Sequence, residues 1–423
     1  MLRVIYTLLF YLALPVVLMR LWWRGRRAPA YRQRWRERLG HVASGPEAPL
    51  WIHAVSVGET VAIAPLVELL LRRCPEQPIV LTTMTPTGAE RARTLFGDRV
   101  RHLYCPWDLP HALARFHRRI RPCALVVVET ELWPNLIKSC ADRNVPVLIA
   151  NARLSARSAR GYRRFGALTG PMLQRLHLVA AQHDADGERF IELGLPREKL
   201  RVTGSIKFDI EVKDEWRQGG LRLRQRWGRE RPVLVAGSTH EGEDRILLEV
   251  LKTLRRHHPQ LLLVLVPRHP ERFATVWQQC RDAGLAVARH SLGEPVTNEV
   301  SVYLGDTMGE LMAFYAAADI AFVGGSLVPR GGHNPLEPAA LGKPVLMGNE
   351  VFNFQSICDA LEASGGLQKV ADTQRLELEL EKLLSDEHLR KKQGEAARTF
   401  VEQNRGALER LYQEVDAMIG RAE

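Results

Sequence analysis

The chain has 423 residues, 46% of them hydrophobic and 25% charged. That is enough for two or three domains with an ordinary globular balance, and it excludes a disordered, collagen-like or disulfide-stapled miniature protein. Its 59 Lys and Arg against 48 Asp and Glu give a formal charge of +11.

Much of that excess sits near the amino terminus. Arg20, Arg24, Arg26, Arg27, Arg32, Arg34, Arg36 and Arg38 stand against a single acid, Glu37, with Trp22, Trp23, Tyr31 and Trp35 among them. Cations interleaved with aromatics suit either nucleic acid or a membrane surface. The preceding segment decides between them, because residues 4–19 carry no charge at all. Extended through Trp22 and Trp23, the segment just reaches the ~30 Å of a bilayer core. Arginines follow it rather than a small-residue cleavage site, so an uncleaved anchor is expected. The positive flank places the body on the cytoplasmic side of the inner membrane, and nucleic acid is not an expected partner. Pro15 and the short length leave a helix lying in the interface as the alternative to a span.

Further along, short apolar runs alternate with helical patterns. Strands are expected at residues 51–55, 79–82, 124–128, 145–150 and 176–181, then at 233–236, 261–266, 300–304, 320–323 and 344–347. The runs are nearly continuous in apolar residues, as in parallel strands buried on both faces. The helical stretches between them supply the crossovers. A polar stretch at 211–231, containing Gln218-Gly219-Gly220, reads as a linker leading into a helix. The expected fold class is therefore α/β: two Rossmann-like, doubly wound parallel-sheet domains facing across a cleft, behind an amino-terminal helix. The expected division is 1–25 for the anchor, 26–212 for the first domain and 213–423 for the second. No GxGxxG follows the first strand of either half, which argues against a dinucleotide oxidoreductase. The cysteines Cys74, Cys105, Cys123, Cys140, Cys280 and Cys358 show neither CxxC pairing nor metal spacing, and read as reduced thiols.

In open parallel sheets, ligands sit beyond the carboxyl ends of the strands. The residues there are rich in chemistry: Ser56-Val57-Gly58-Glu59, Glu129-Thr130-Glu131, Ser238-Thr239-His240-Glu241, Pro267-Arg268-His269 and Asp306-Thr307-Met308-Gly309-Glu310. The richest follows the run 320–323, where Gly324-Gly325 and Gly331-Gly332 precede His333-Asn334-Pro335-Leu336-Glu337. Glycines permit a sharp turn and a close approach of ligand to main chain. Asn334 is a helix cap, Pro335 suits a first turn, and free N–H groups there favour an anion. Glu337, one turn in, is placed to accept two ribose hydroxyls. Together these parts indicate a nucleotide site.

The segments SVGET, TTMTPTG, ETELWPN, NARLSARS, TGSIKFD, STHEGE, PRHPERF, GDTMGEL and GGSLVPRGGHNPLEPAA also resemble the Kdo transferases of lipid A assembly, over essentially the whole chain. The resemblance implies a GT-B architecture and an inverting transfer of 3-deoxy-D-manno-octulosonic acid from CMP-Kdo to a lipid A precursor. It implies that Glu59 is the proton acceptor and that Glu129 and Lys207 stabilise the transition state. It further implies that Arg268, His269, Met308, Gly309, Glu310, Asn334, Pro335, Leu336 and Glu337 hold CMP. Read without it, Glu59 follows a strand end at a helix start, where the dipole favours the ionised form that a base requires. Glu129 reads equally as a stabiliser or as a helix-start acid, and Lys207 equally as a solvated lysine. No carboxylate cluster looks built for a metal, Asp306 and Glu310 being explained by helix capping, so no cofactor is expected. The alternatives are a GT-B-like sugar-nucleotide epimerase and a non-enzymatic membrane adaptor.

Overall fold

The computed structural model describes residues 2–420. The chain divides into two compact units, one running to Asp209 and resumed from Arg405, the other Ile210–Asn404. The first unit holds a seven-stranded sheet. Its strands are β1 (Leu50–His53), β2 (Ile79–Thr83), β3 (Arg101–Tyr104), β4 (Ala124–Val128), β5 (Val147–Ala152), β6 (Leu178–Ala181) and β7 (Leu200–Val202). They are parallel throughout, in the order β3-β2-β1-β4-β5-β6-β7. The second unit holds β8 (Val233–Thr239), β9 (Leu262–Pro267), β10 (Val287–Arg289), β11 (Val302–Leu304), β12 (Ile320–Val323), β13 (Val345–Gly348) and β14 (Leu367–Val370). These too are parallel, in the order β10-β11-β9-β8-β12-β13-β14.

Both faces of the first sheet are covered, and adjacent residues serve opposite cores. Trp51 packs with Val80 and Val127 on one face, while Leu50 and Ile52 pack with Leu81 and Val126 on the other. A strand of this kind has no polar face, which is why its sequence lacks alternation. Every expected strand is present. The strands that the pattern does not announce are β3, β7, β10 and β14, the outermost of each sheet. Their sequences, RHLY, LRV, VAR and LQKV, carry charge because an edge strand is only half enclosed.

Two expectations are corrected. The stretch at 211–231 is mostly the helix Asp214–Trp227, not a linker. Gly220 lies inside it, where a Cβ would meet Ala316 Cβ at 2.7 Å. The glycine is there so that this helix can cross Leu311–Ala317 closely. The carboxy-terminal helix Ala407–Gly420, expected with the second domain, belongs to the first unit. Its Leu411, Val415 and Met418 join the core of Leu50 and Ile52. Asp209 fixes the return by accepting from the N–H groups of Gly406 at 2.6 Å and Leu408 at 2.7 Å.

The amino-terminal helix Leu2–Arg27 is continuous through Pro15. By length and composition it can cross a membrane. One stripe of it docks on the first unit, with Phe10, Leu14, Val17, Leu18 and Leu21 against Trp107, Leu109 and Ala112. Arg3 Nη1 donates to Asn135 Oδ1 at 3.0 Å. The opposite stripe, including Leu8, Leu12, Val16, Met19 and Trp23, is exposed.

Candidate functional site

In the first unit the chemistry gathers at the carboxyl ends of β1 and β4. The helix Val57–Arg73 begins there, with Ser56 as its cap. Ser56 and Glu59 form a reciprocal capping box. The Glu59 N–H donates to Ser56 Oγ at 3.4 Å. In return Ser56 Oγ donates to Glu59 Oε1 at 2.9 Å, and the Val55 N–H to Glu59 Oε2 at 2.7 Å. The side chain is thereby folded back over the end of β1, with 8% of the residue exposed.

Burial pushes the Glu59 carboxyl up to about 7, against the two hydrogen bonds that favour its ionised form, and the charges of Glu131 and Glu129 add to the rise. This corrects the reading from the helix dipole: desolvation outweighs it. Glu129 sits directly after β4 with φ 59°, a left-handed conformation that costs energy in a non-glycine residue. Glu131, just beyond, is raised mainly by burial and is held by Trp133, whose Nε1 donates to it at 2.9 Å. Lys207 lies in the turn Ile206–Phe208 that follows β7 and packs on the helix carrying Glu59. The structure thus groups Glu59 with Glu129 and adds Glu131, which sequence reasoning left out.

In the second unit the ends of β8, β9 and β12 converge. A bulge in β8 puts Ser238 at φ 58° and shifts the register with β9. Gly324 lies against that bulge, where a Cβ would meet the Ser238 carbonyl oxygen at 2.4 Å. The glycine loop accordingly serves close packing of main chain on main chain. Its amides are also engaged. Gly325, Ser326 and Leu327 donate to the Glu243 carboxylate at 2.7, 3.0 and 3.0 Å, and the His240 N–H adds a fourth bond at 2.9 Å. An anion does sit on this loop, but it is the protein's own.

Beside the loop stands a basic cluster. His240 and His333 stack in parallel, ring centroids 5.1 Å apart, with their Nε2 atoms at 2.8 Å. His269 meets His240 edge-on at 5.4 Å. His240 and His333 are each lowered to about 4, mainly by burial, with the charges of His269 and Arg268 contributing to both and that of His240 to His333. Arg330 and Arg272 also bear on His240. Asn334 Oδ1 accepts from the Leu336 N–H at 3.2 Å in the turn before the short helix Leu336–Ala340, whose cap position is taken by Pro335 and not, as expected, by Asn334. Glu337 is raised by burial, an effect opposed by Asn334 and by the charge of Arg268. Arg268, His269, Asn334 and Glu337 are therefore neighbours, and His240 and His333 belong with them. The sequence signal for these histidines was present, one at a strand end and the other next to Asn334.

Met308, Gly309 and Glu310 precede the helix Leu311–Ala317 at the end of β11. Among the described residues they share no hydrogen bond with the Arg268 and Glu337 group. Glu310 Oε2 pairs with His290 Nε2 at 3.1 Å. Gly309, Glu310 and His290 line a cavity of about 410 Å³ with Trp216, Arg222 and Arg226. Asp306 does not cap a helix, contrary to expectation. Its carboxylate pairs with Arg289 at 2.7 Å and accepts from the Ser291 N–H and hydroxyl at 2.7 and 2.6 Å. Among the described residues no group of three or more His, Cys, Asp or Glu is placed to hold a metal ion.

Known proteins bear out the architecture and give it a chemistry. Residues 33–210 match the family described as 3-deoxy-D-manno-octulosonic-acid transferase (kdotransferase), and residues 240–400 match glycosyl transferases group 1. The 3-deoxy-D-manno-octulosonic acid transferase of Haemophilus influenzae is 44% identical over 413 residues, 97% of each chain. That of Bordetella pertussis is 37% identical over 99% of this chain and 100% of its own. A crystal structure of a glycosyltransferase from Rickettsia africae has a TM-score of 0.55 at 14% identity, covering 89% of this chain and 99% of that one, a likeness of fold alone. Near-complete coverage at such identity leaves no room for the epimerase or adaptor alternatives. The two parallel sheets are the two domains of a GT-B glycosyltransferase, and the chain belongs to the 3-deoxy-D-manno-octulosonic-acid (Kdo) transferases.

Proposed function

We propose that this enzyme moves Kdo from CMP-Kdo to a sugar hydroxyl of a lipid A precursor, with inversion at the anomeric carbon. The observation that carries the reading is Glu59: a mostly buried, rigidly capped carboxylate raised to about 7, where a general base is most effective at neutral pH. Glu59 takes the proton of the acceptor hydroxyl as its oxygen attacks the anomeric carbon. The bond from that carbon to the phosphate oxygen breaks, and CMP departs with the electron pair. Glu129 and Lys207 stabilise the charge that develops at the sugar. Arg268 and His269, joined by His240 and His333, meet the charge on the leaving phosphate. Glu337 accepts the ribose hydroxyls, Asn334-Pro335-Leu336 shape the wall beside it, and Met308-Gly309-Glu310 hold the cytosine.

The acceptor's acyl chains stay in the bilayer. The helix Leu2–Arg27, docked by one stripe and apolar on the other, suits an attachment in the plane of the cytoplasmic leaflet of the inner membrane. Purified enzyme incubated with radiolabelled CMP-Kdo and a purified lipid A precursor tests the reading. Label moving into the lipid, with release of CMP, is expected. Release of CMP without lipid labelling, or labelling from a different nucleotide sugar, overturns it.

A further inference from the structure

A second charged feature lies in the first unit, away from the carboxylates. The helix Pro110–Ile120 carries Arg115, Arg118 and Arg119 on one side, and the loop that follows Arg38 lies against it. Arg115 Nε donates to the Leu39 carbonyl at 2.9 Å, and the Gly45 N–H donates to the Arg119 carbonyl at 3.1 Å. From the far side, Arg101 donates to the carbonyls of Ala43 and Ser44, both at 2.8 Å. The loop is clamped at both ends, so the hollow between loop and helix is a fixed shape. Its volume is about 660 Å³, and Arg36, His41, Ser44, Arg115, Arg118 and Arg119 line it.

The charge in this hollow is one-sided. Among the described residues no carboxylate pairs with Arg36, Arg115, Arg118 or Arg119. The acid nearest in sequence, Glu37, is engaged elsewhere: Arg34 binds it at 2.7 Å and the Tyr104 N–H at 2.9 Å. Four guanidinium groups around one fixed hollow are a fork-shaped donor set for phosphate oxygens.

We propose that this hollow binds the phosphate of an anionic membrane lipid headgroup. The choice of a lipid comes from the neighbour on the same helix. Tyr11 of the amino-terminal helix stacks on His111, ring centroids 5.2 Å apart. Arg118 stands two helical turns further on, about 10 Å along the axis at 1.5 Å per residue. The exposed stripe of Leu8, Leu12, Val16, Met19 and Trp23 is then the acyl-chain contact, and the arginine hollow receives a headgroup beside it. A single amphipathic helix binds a bilayer weakly and reversibly, and a basic site at its flank is the second signal that makes attachment stable. The inference rests on the membrane-facing reading of the helix Leu2–Arg27 and is independent of which sugar is transferred.

The test is vesicle flotation of full-length enzyme, using neutral phosphatidylcholine vesicles and vesicles that also contain an anionic phospholipid. The variants are Arg36→Gln/Arg118→Gln/Arg119→Gln and a control, Arg256→Gln/Lys392→Gln, which removes exposed cations from the second unit. Thermal melts confirm that each is folded. The triple variant is expected to bind anionic vesicles roughly 10²-fold more weakly, as the loss of three near-surface cations implies. Its partition to neutral vesicles should match the wild type, and the control should change little on either. Equal losses in the triple variant and the control, or no loss in the triple variant, overturn the proposal. So does a wild type that ignores the anionic lipid, or one whose preference is abolished by millimolar inorganic phosphate, which marks a free-phosphate site instead. Turnover of the wild type on detergent-dispersed acceptor is measured alongside. Its absence counts against the transferase reading and leaves the vesicle result standing.

Discussion

In each unit the helix that follows the sheet's first strand in sequence, β1 or β8, begins with a glutamate folded back on the strand end. Glu59 accepts from the Val55 N–H at 2.7 Å after β1, and Glu243 accepts from the His240 N–H at 2.9 Å after β8. The strand beside each is also equivalent, β4 in one sheet and β12 in the other. What differs is what that neighbouring strand presents. β4 ends in Glu129 and Glu131, which add repulsion and raise Glu59. β12 ends in the amides of Gly325, Ser326 and Leu327, which bind Glu243 from three sides. The same residue at the same topological point is thus a carboxyl raised by burial and neighbouring acids in one unit and a carboxylate bound by backbone amides in the other. Fold position selects where a carboxylate stands, and the next strand's loop selects its role.

The largest effect expected from that contrast is on stability. Glu243→Gln puts an NH₂ group where an oxygen now meets backbone N–H donors, inside a fully buried site. A hydrogen bond to a charged group is worth ~1.5–3 kcal/mol, and a buried donor left unpaired costs more. The second unit should lose about 3 kcal/mol or more, read as a lower melting temperature and faster hydrogen exchange in the glycine loop. An unchanged melt would separate Glu243 from its assigned role and break the comparison on that side.

Glu59→Gln should do the opposite. Turnover should fall by at least ~10²-fold, about 2.7 kcal/mol in the barrier, while CMP binding holds. The rising limb of the pH–rate profile near 7 should vanish with it. Stability should increase rather than decrease. A carboxyl raised from its usual range to about 7 destabilises the fold progressively as pH rises through that interval, and fully above it. The variant should therefore be roughly 2 kcal/mol more stable than wild type at pH 8, with the gap closing by pH 4. Wild-type turnover in the variant, or a gap that grows on acidification, contradicts the assignment.

This contrast also marks what the sequence could tell. The central strands were legible because burial on both faces leaves an apolar run, and the strand-end motifs were legible because those runs locate them. The edge strands were not, since RHLY or LQKV has the composition of a loop. Glu59 and Glu337 announced themselves through local context, a glycine turn and a helix start. Glu243 did not, because its partners Gly325, Ser326 and Leu327 lie more than 80 residues away. His240 and His333 are 93 residues apart, so no local pattern pairs them. The pKa of Glu59 needed the burial of the folded state. From sequence only the helix dipole was visible, and it gave the wrong direction.

A smaller effect is expected at Glu337. The carboxylate is held between Asn334 and the charge of Arg268, in a setting whose burial already disfavours its ionised form. Glu337→Ala should weaken CMP binding by ~1.5–3 kcal/mol, roughly 10- to 100-fold by calorimetry, through loss of a charged acceptor to ribose. Deoxycytidine monophosphate should show a smaller difference between wild type and variant than CMP does, because it lacks one of the two hydroxyls concerned. If CMP affinity is unmoved, Glu337 does not contact ribose.

The smallest effect separates the second unit's histidines from a merely structural stack. At pH 7 both His240 and His333 are neutral, and the 2.8 Å contact between their Nε2 atoms holds one proton between two rings. An arriving phosphate replaces the depressing field of Arg268 and His269 with an attractive one, so the pair should gain a proton on binding. A group whose proton affinity rises in the complex makes the ligand bind more tightly as pH falls from the bound pKa toward the free value of about 4. CMP itself also titrates near ~6, so only the difference between proteins is informative. His333→Gln keeps a hydrogen bond to His240 but cannot carry the charge. Between pH 7 and 5 the wild type should gain up to about tenfold in affinity relative to the variant, while at pH 8 the two should agree within about threefold. Parallel pH profiles would leave the stacked rings as packing alone, and the cationic help to the leaving phosphate would then fall to the arginines.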